Sequence, residues 1–275
     1  MIVDYHMHLR GPARDGAEPL DFTIEAIEGF LETAARRGID EIGFTEHVYY
    51  FRQTRDIWFL SYHLERCVHD LDEYCDVLLE AKRQGLPVKL GLEVDYVPGR
   101  QGELAGLIAP FPFDFLLGSV HEVVDFAVDQ RPGIWERLTV EEVWRGYFDS
   151  LSELARSGHV DVMAHPDLAK IYDRWPSPEV VAELSEAAAA AFAAGGVAVE
   201  VSTAGLRKPV GEIYPSLGFL KACRRRQVPI TVASDAHTAD LVGEDFARAL
   251  ELVRRAGYDT VSVFESRQRR QEPLG

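Results

Sequence analysis

Residues 2–8 read Ile-Val-Asp-Tyr-His-Met-His, a short β-prone run that ends in two histidines two positions apart. Alternate side chains of an extended strand share a face, so both imidazoles can reach one cation. The same grammar recurs along the chain. After the first run, at 2–6, β-rich runs stand at 41–45, 88–94, 113–120, 160–164, 197–201 and 230–233, with a weaker eighth at 260–264. Helical periodicity fills the intervals at 23–37, 60–84, 140–156, 178–194, 215–226 and 246–255. Several of these stretches end at a glycine that reads as a helix stop: Gly38, Gly85, Gly158, Gly195 and Gly257. The alternation predicts repeated βα units around a mainly parallel sheet. Seven strong units point to a barrel one strand short of the eightfold form, with an open doubly wound sheet as the competing architecture. No Gly-, Ser- or Pro-rich linker interrupts the pattern, so residues 1–275 are expected to form one domain whose segment 238–275 completes the barrel packing.

The composition fits that reading. With 47% hydrophobic and 27% charged residues in 275, the chain has material for a sizeable core. Its 29 Lys and Arg against 45 Asp and Glu give a net charge of −16, a field that repels nucleic acid and anionic lipid. A phosphorylated substrate would need local positive charge from metal ions or placed arginines. Cys67, Cys75 and Cys223 have neither CxxC spacing nor a framework number, and Asp4 and His6 interrupt any N-terminal signal sequence. With no long apolar run, a cytoplasmic protein without membrane or nucleic-acid partners is expected.

Six of the nine histidines, His6, His8, His47, His121, His165 and His237, fall at or just past a strand end, whereas His63, His69 and His159 do not. Sites of barrels and open α/β sheets are built at that rim. Acidic companions, Asp4, Glu46, Glu93, Asp167 and Asp235, stand beside the histidines or at equivalent strand ends, with Asp4 expected to orient a ring from behind. Imidazole and carboxylate without thiolate suit zinc, iron or manganese, and so many ligands exceed the needs of one ion. Two or three divalent ions are therefore expected. Glu93, in the otherwise apolar run Gly91-Leu92-Glu93-Val94, is the expected bridge, because a buried carboxylate without a cation is costly.

Taken together, DYHMH, FTEH, GLEVDY, GSVH, AHPDL and SDAH, in that order from residue 4 to residue 237, resemble the polymerase and histidinol phosphatase (PHP) superfamily of metal-dependent phosphoesterases. GLEVDY and the stretch Val201-Ser202-Thr203-Ala204-Gly205-Leu206-Arg207-Lys208-Pro209, followed by Tyr214-Pro215, are similar to its histidinol-phosphate phosphatases. The resemblance implies a distorted (β/α)7 barrel of the TIM-like kind with a trinuclear centre. It would place His6, His8, Glu93 and Asp235 on the first ion, Glu93, His121 and His165 on the second, and His47 and His237 on the third. Many members carry a further histidine shortly after the HxH pair, where this chain reads Leu9-Arg10-Gly11-Pro12-Ala13-Arg14-Asp15; Asp15 or a water would have to substitute.

The implied reaction is hydrolysis of a small phosphate monoester, L-histidinol phosphate, in histidine biosynthesis. Arg207, whose planar fork matches two phosphate oxygens, is the expected clamp, with Lys208 and Lys170 as further cations. Asp167 or His237 would protonate the leaving alkoxide. Glu122 and Asp167 would meet the amine and imidazole of the substrate, and the aromatic loop 49–58 either walls the pocket or merely covers the rim. The competing readings are a phosphoesterase for another small phosphorylated metabolite or nucleotide, an amidohydrolase-type barrel, and a degenerate barrel with structural metals only.

Overall fold

The computed structural model describes residues 1–10, 22–124, 126–129 and 132–275. In chain order its principal elements are β1 (Val3–Asp4), α1 (Ile24–Arg36), β2 (Glu41–Phe44), α2 (Ser61–Arg66), α3 (Leu71–Arg83), β3 (Val88–Asp95), α4 (Gln101–Ile108), β4 (Phe115–Ser119), β5 (Glu122–Val123), β6 (Phe126–Ala127), α5 (Val140–Arg156), β7 (Val162–Met163), α6 (Pro178–Gly195), β8 (Ala198–Ser202), α7 (Leu217–Arg225), β9 (Ile230–Ala233), α8 (Phe246–Ala256), β10 (Thr260–Glu265) and β11 (Gln268–Pro273).

Seven strands pair in parallel in the order β1-β2-β3-β4-β7-β8-β9. The sheet curls until its edges meet: Tyr5 N–H donates to the Val232 carbonyl at 3.3 Å, and Met7 bridges Ala236 in parallel. This is the seven-stranded barrel that the alternation of runs predicts. The eighth run is not a barrel strand. β10 pairs antiparallel with β11 and, through Val261, Val263 and Phe264, packs with Val3, Tyr5, Phe115, Leu117, Val162, Ala164 and Ala198 inside the barrel. The hairpin thus plugs the end away from the histidines.

Local chemistry sets the helix limits. Thr23, Ser177 and Ser216 each cap a helix by accepting a backbone N–H, and Thr139 with Glu142 forms a full capping box on α5. The α6 stop lies one residue beyond the expected glycine, at Gly196, which takes φ +69°. Gly195 is required for another reason: a Cβ there would lie 1.9 Å from the Ala155 carbonyl oxygen, so the close seat of α6 on α5 admits no side chain.

The stretch 60–84, expected to be one helix, is two. His69 donates to the Tyr50 carbonyl and accepts from Arg52 N–H, both at 2.9 Å, pulling the chain into a bridge before Asp70 caps α3. Tertiary backbone pairing overrides the continuous periodicity here. The sequence pattern predicts neither the short α4 nor the β5-β6 hairpin. Among the described residues no helix is long and apolar enough to cross a membrane.

Candidate metal centre

Each strand of the barrel ends at the same mouth and delivers a side chain to it. Glu93, fully buried on β3, occupies the middle. Its Oε2 lies 2.6 Å from His47 Nδ1, 3.5 Å from His6 Nε2 and 3.7 Å from His8 Nε2. Its Oε1 lies 3.2 Å from His165 Nε2 and 3.4 Å from His121 Nε2. Asp235 Oδ1 faces His237 Nδ1, His8 Nε2 and His6 Nε2 at 3.4, 3.6 and 3.8 Å. Burial by itself would raise the Glu93 carboxyl, but the charges of His47, His6 and His121 outweigh it and hold it well below the ordinary range.

All eight residues expected as ligands therefore meet. Four overlapping groups have their ligand atoms within 4.8 Å of one another: His6, His8 and Asp235; His6, Glu93 and His165; His47, Glu93 and His121; and His8, His47 and His237. The last group adds His8 to the two residues expected at a third position. Asp15, named above as a possible substitute ligand, lies outside the described residues.

Divalent cations fit these residues. His6 Nε2, both ring nitrogens of His8, His47 Nδ1, His165 Nδ1 and Glu93 Oε2 are buried and have no hydrogen-bond partner among the described residues. The His47–Glu93 approach at 2.6 Å lacks hydrogen-bond geometry. An orphaned buried polar atom costs about 1–3 kcal/mol, so such a concentration of them at one mouth calls for ions that accept one lone pair from each ring facing Glu93 or Asp235. The donor set, imidazole and carboxylate, is the one zinc, iron and manganese take. Two of the residues expected as ligands also sit in the left-handed backbone region without being glycine, His165 at φ +25° and Asp235 at φ +51°.

Two acids that sequence reasoning did not single out hold rings from behind. Asp95 Oδ1 contacts His121 Nδ1 at 2.5 Å, and Glu200 Oε2 contacts His6 Nδ1 at 2.8 Å. Both had a signal: Asp95 is two residues beyond Glu93, and Glu200 is an acid inside the apolar run of β8. Asp4, expected in that role, orients no ring. It accepts from Ser234 N–H, the Ser234 hydroxyl and Gly243 N–H at 2.5–2.9 Å, so it anchors the turn that carries Asp235.

The remaining candidates divide. Glu122 lines a cavity of about 220 Å³ directly above His47, His121 and His237, together with Tyr49, Tyr50, Tyr62, His63 and Asp129. His63, set apart in the sequence, enters through α2 and lies 3.4 Å from Glu122; burial lowers its imidazole pKa. Tyr49 stacks on His47 at 4.9 Å, so loop 49–58 is part of the wall. Arg207 is partly exposed and donates to the Ser234 and Asp235 carbonyls at 2.6 and 3.1 Å and to Glu244 at 3.2 Å.

Lys208 is exposed just beyond the turn that holds Arg207. Lys170 does not face a substrate. It is fully buried, and its ammonium contacts Ile213 O, Asp167 and Glu212 at 2.8, 3.0 and 3.4 Å. Asp167 also accepts from Ser216 N–H, while burial raises its carboxyl against the pull of Lys170. His237 is held neutral, its pKa brought down to about 3 by burial and by His8, and neutral imidazole is the form that ligates. His69 bonds to Arg10, and His159 lies at the opposite end of the barrel, its carbonyl taken by Arg267. A larger apolar groove of about 460 Å³ lies outside, between α6 and α7, far from this chemistry; its Glu186 and Arg225 pair with each other.

These features define a class: a TIM-like barrel whose mouth of imidazoles and carboxylates suits divalent cations. The chain belongs to the PHP domain family, whose model matches residues 4–204. It is 30% identical to a probable histidinol-phosphatase of Deinococcus radiodurans over 99% of both chains. It is 24% identical to the histidinol-phosphatase of Lactococcus lactis, over 95% of this chain and 94% of that one. In fold it matches the crystal structure of a histidinol phosphate phosphatase from L. lactis complexed with zinc, L-histidinol and phosphate, with a TM-score of 0.74, 21% identity and 98% of each chain covered.

Proposed function

We propose that the protein is a metal-dependent phosphatase that hydrolyses L-histidinol phosphate to L-histidinol and phosphate in histidine biosynthesis. The carrying observation is the concentration of partnerless buried ligand atoms around Glu93 and Asp235 at the mouth of a PHP barrel. Full-length likeness to histidinol-phosphatases supports the substrate. His6, His8, Glu93 and Asp235 would hold the first ion, and Glu93, His121 and His165 the second. His47 and His237 would hold a third, with His8 in reach of both. Zinc, iron and manganese all suit this set, and three buried free thiols, Cys67, Cys75 and Cys223, accord with the reducing cytoplasm.

Bound ions supply Lewis-acid polarisation of the phosphoryl oxygens and bring the pKa of a bound water towards about 7. The protein supplies position and charge. Arg207, at the mouth beside Asp235, offers a planar guanidinium to the phosphate, and Lys208 adds positive charge outside it. Glu122 and Asp129 would accept from the ammonium of the substrate, while Tyr49, Tyr62 and His63 enclose its imidazole and exclude water. Asp167, with a partnerless buried Oδ1 two residues beyond His165, is retained as the donor to the leaving oxygen; Asp167→Asn should then lower kcat far more than it changes KM.

The test is steady-state kinetics of metal-analysed protein on histidinol phosphate and a panel of sugar and nucleoside phosphates. A clear preference for histidinol phosphate in kcat/KM is expected. Equal or better turnover of another ester would overturn the substrate, and fewer than one metal equivalent with no turnover would overturn the enzyme.

A further inference from the structure

Among the acids at the mouth, Glu200 is unlike the rest. It sits in the middle of β8, is fully buried, and faces two groups that belong to different ions in the reading above. Oε2 lies 2.8 Å from His6 Nδ1, leaving His6 Nε2 turned towards Glu93 and Asp235. Oε1 accepts the backbone N–H of His165 at 3.0 Å, on the residue whose φ of +25° is costly for a side chain with a Cβ. The carbonyl of His165 is held from the other side by the Tyr147 hydroxyl at 3.1 Å.

We infer that Glu200 is a positioning residue that sets both metal subsites with one carboxylate: it fixes the His6 proton on Nδ1, so that Nε2 is free to ligate, and pins the strained turn that aims His165. The inference rests on the metal-binding reading and adds the coupling between subsites. A ligating histidine gives its other ring N–H to an acceptor that fixes tautomer and orientation. Here that acceptor is shared with the backbone of a second ligand, so loss of one contact is felt at both ions.

The chemistry makes Glu200→Gln diagnostic. A carboxylate has two acceptor oxygens and can receive both N–H groups, whereas an amide of the same shape has one acceptor and must turn its NH2 towards the other donor. If the oxygen stays with His165, the NH2 faces His6 Nδ1 and drives the ring proton to Nε2, the ligating atom. If it turns to His6, the His165 turn loses its anchor. Either way affinity falls although volume is preserved.

Chelator-treated wild type and E200Q would be titrated with Zn2+ against a chromophoric competitor, and their melting temperatures compared with and without the metal. The wild type is expected to bind at least two equivalents. E200Q should bind about 10–100-fold more weakly at the tighter positions, the range seen when the partner of a ligating histidine is lost. Zn2+ should raise the melting temperature of E200Q less than it raises that of the wild type, wherever the two metal-free proteins themselves melt. A residue that merely supports the fold would instead lower the metal-free melting temperature and leave the titration unchanged; that result overturns the inference. Wild type that takes up no Zn2+ overturns the metal reading itself, and E200Q that titrates like a Zn2+-binding wild type overturns only the role of Glu200.

Discussion

Replacing Glu93 by Gln is the most searching perturbation of the mouth. The carboxylate stands within 3.7 Å of ring nitrogens from His6, His8, His47, His121 and His165, so it faces every group that the two principal ions would use except Asp235. The Glu93→Gln amide would keep the volume, so no cavity opens, but it removes the negative charge and offers one of the two sides an NH2 where a ligand is needed. Breaking a fully buried charge pair by removing one partner costs about 3–5 kcal/mol. At about 1.36 kcal/mol per decade, that predicts a loss of roughly 10²–10⁴ in affinity for the bridged ions. The assay is competitive Zn2+ titration of the metal-free protein, paired with kcat/KM on histidinol phosphate at the highest metal concentration that keeps wild type fully active. Circular dichroism should show the barrel intact. An E93Q protein that binds the same number of ions within about threefold of wild-type affinity would refute the placement of Glu93 as their shared ligand.

Other outcomes follow from single contacts. Arg207→Ala should raise KM and weaken inhibition by inorganic phosphate by about 10–100-fold, the scale of a charged hydrogen bond worth about 1.5–3 kcal/mol; unchanged phosphate inhibition would leave Arg207 as a brace for the Asp235 turn alone. Glu122→Gln should raise KM for histidinol phosphate about tenfold or more while sparing an ester that lacks the ammonium, and a uniform loss on both esters would remove it from substrate recognition. At the opposite end, hydrogen bonding to Lys89 lowers the Glu265 carboxyl; burial lowers the Lys89 ammonium pKa, but Glu265 and Glu41 outweigh it and raise it. The acid's contribution is present above about pH 4.5 and is lost as pH falls through its depressed value, while that of the lysine is lost only above about pH 10.5. Glu265→Gln, at a half-exposed site, should therefore destabilise by about 0.2–1 kcal/mol between those limits, with the difference from wild type vanishing in acid denaturation series run below them.

The barrel was legible because its signal is periodic. Six of the seven runs end at or beside a histidine or an acid that is out of place in an apolar strand, and those groups only make sense at one rim. The same logic identifies the eight ligand candidates and their meeting. It failed where the deciding partner lies far off in sequence. The bridge between His69 and residues 50 and 52 splits a helix that looks continuous. β10 reads as a strand, which it is, but only its apolar face against Tyr5 and Phe115 shows that it plugs the barrel instead of joining it. Lys170 looks like a substrate cation until Asp167 and Ile213 are found around it. Glu200 carried the same anomaly as Glu93, an acid inside an apolar strand, but no histidine stands beside it in the sequence to draw attention.

The strained residues among the proposed ligands show how the mouth is kept in shape. His165 and Asp235 both adopt positive φ, at an expected cost of about 1–3 kcal/mol each, and both are gripped at the backbone by side chains from elsewhere in the barrel. Glu200 and Tyr147 hold the N–H and C=O of His165. Asp4 holds the N–H of Ser234, and Arg207 holds the carbonyls of Ser234 and Asp235. Three of these four residues carry charge, and all act on a turn without themselves standing among the proposed metal ligands. The aim of the ligands is thus set by polar contacts that close only once the barrel has closed, since Asp4 and Ser234 meet across the seam between β1 and β9. A barrel opened at that seam would lose the turn holding Asp235 together with the strand holding His6 and His8, so the first metal subsite and the closure of the sheet should be gained and lost as one event.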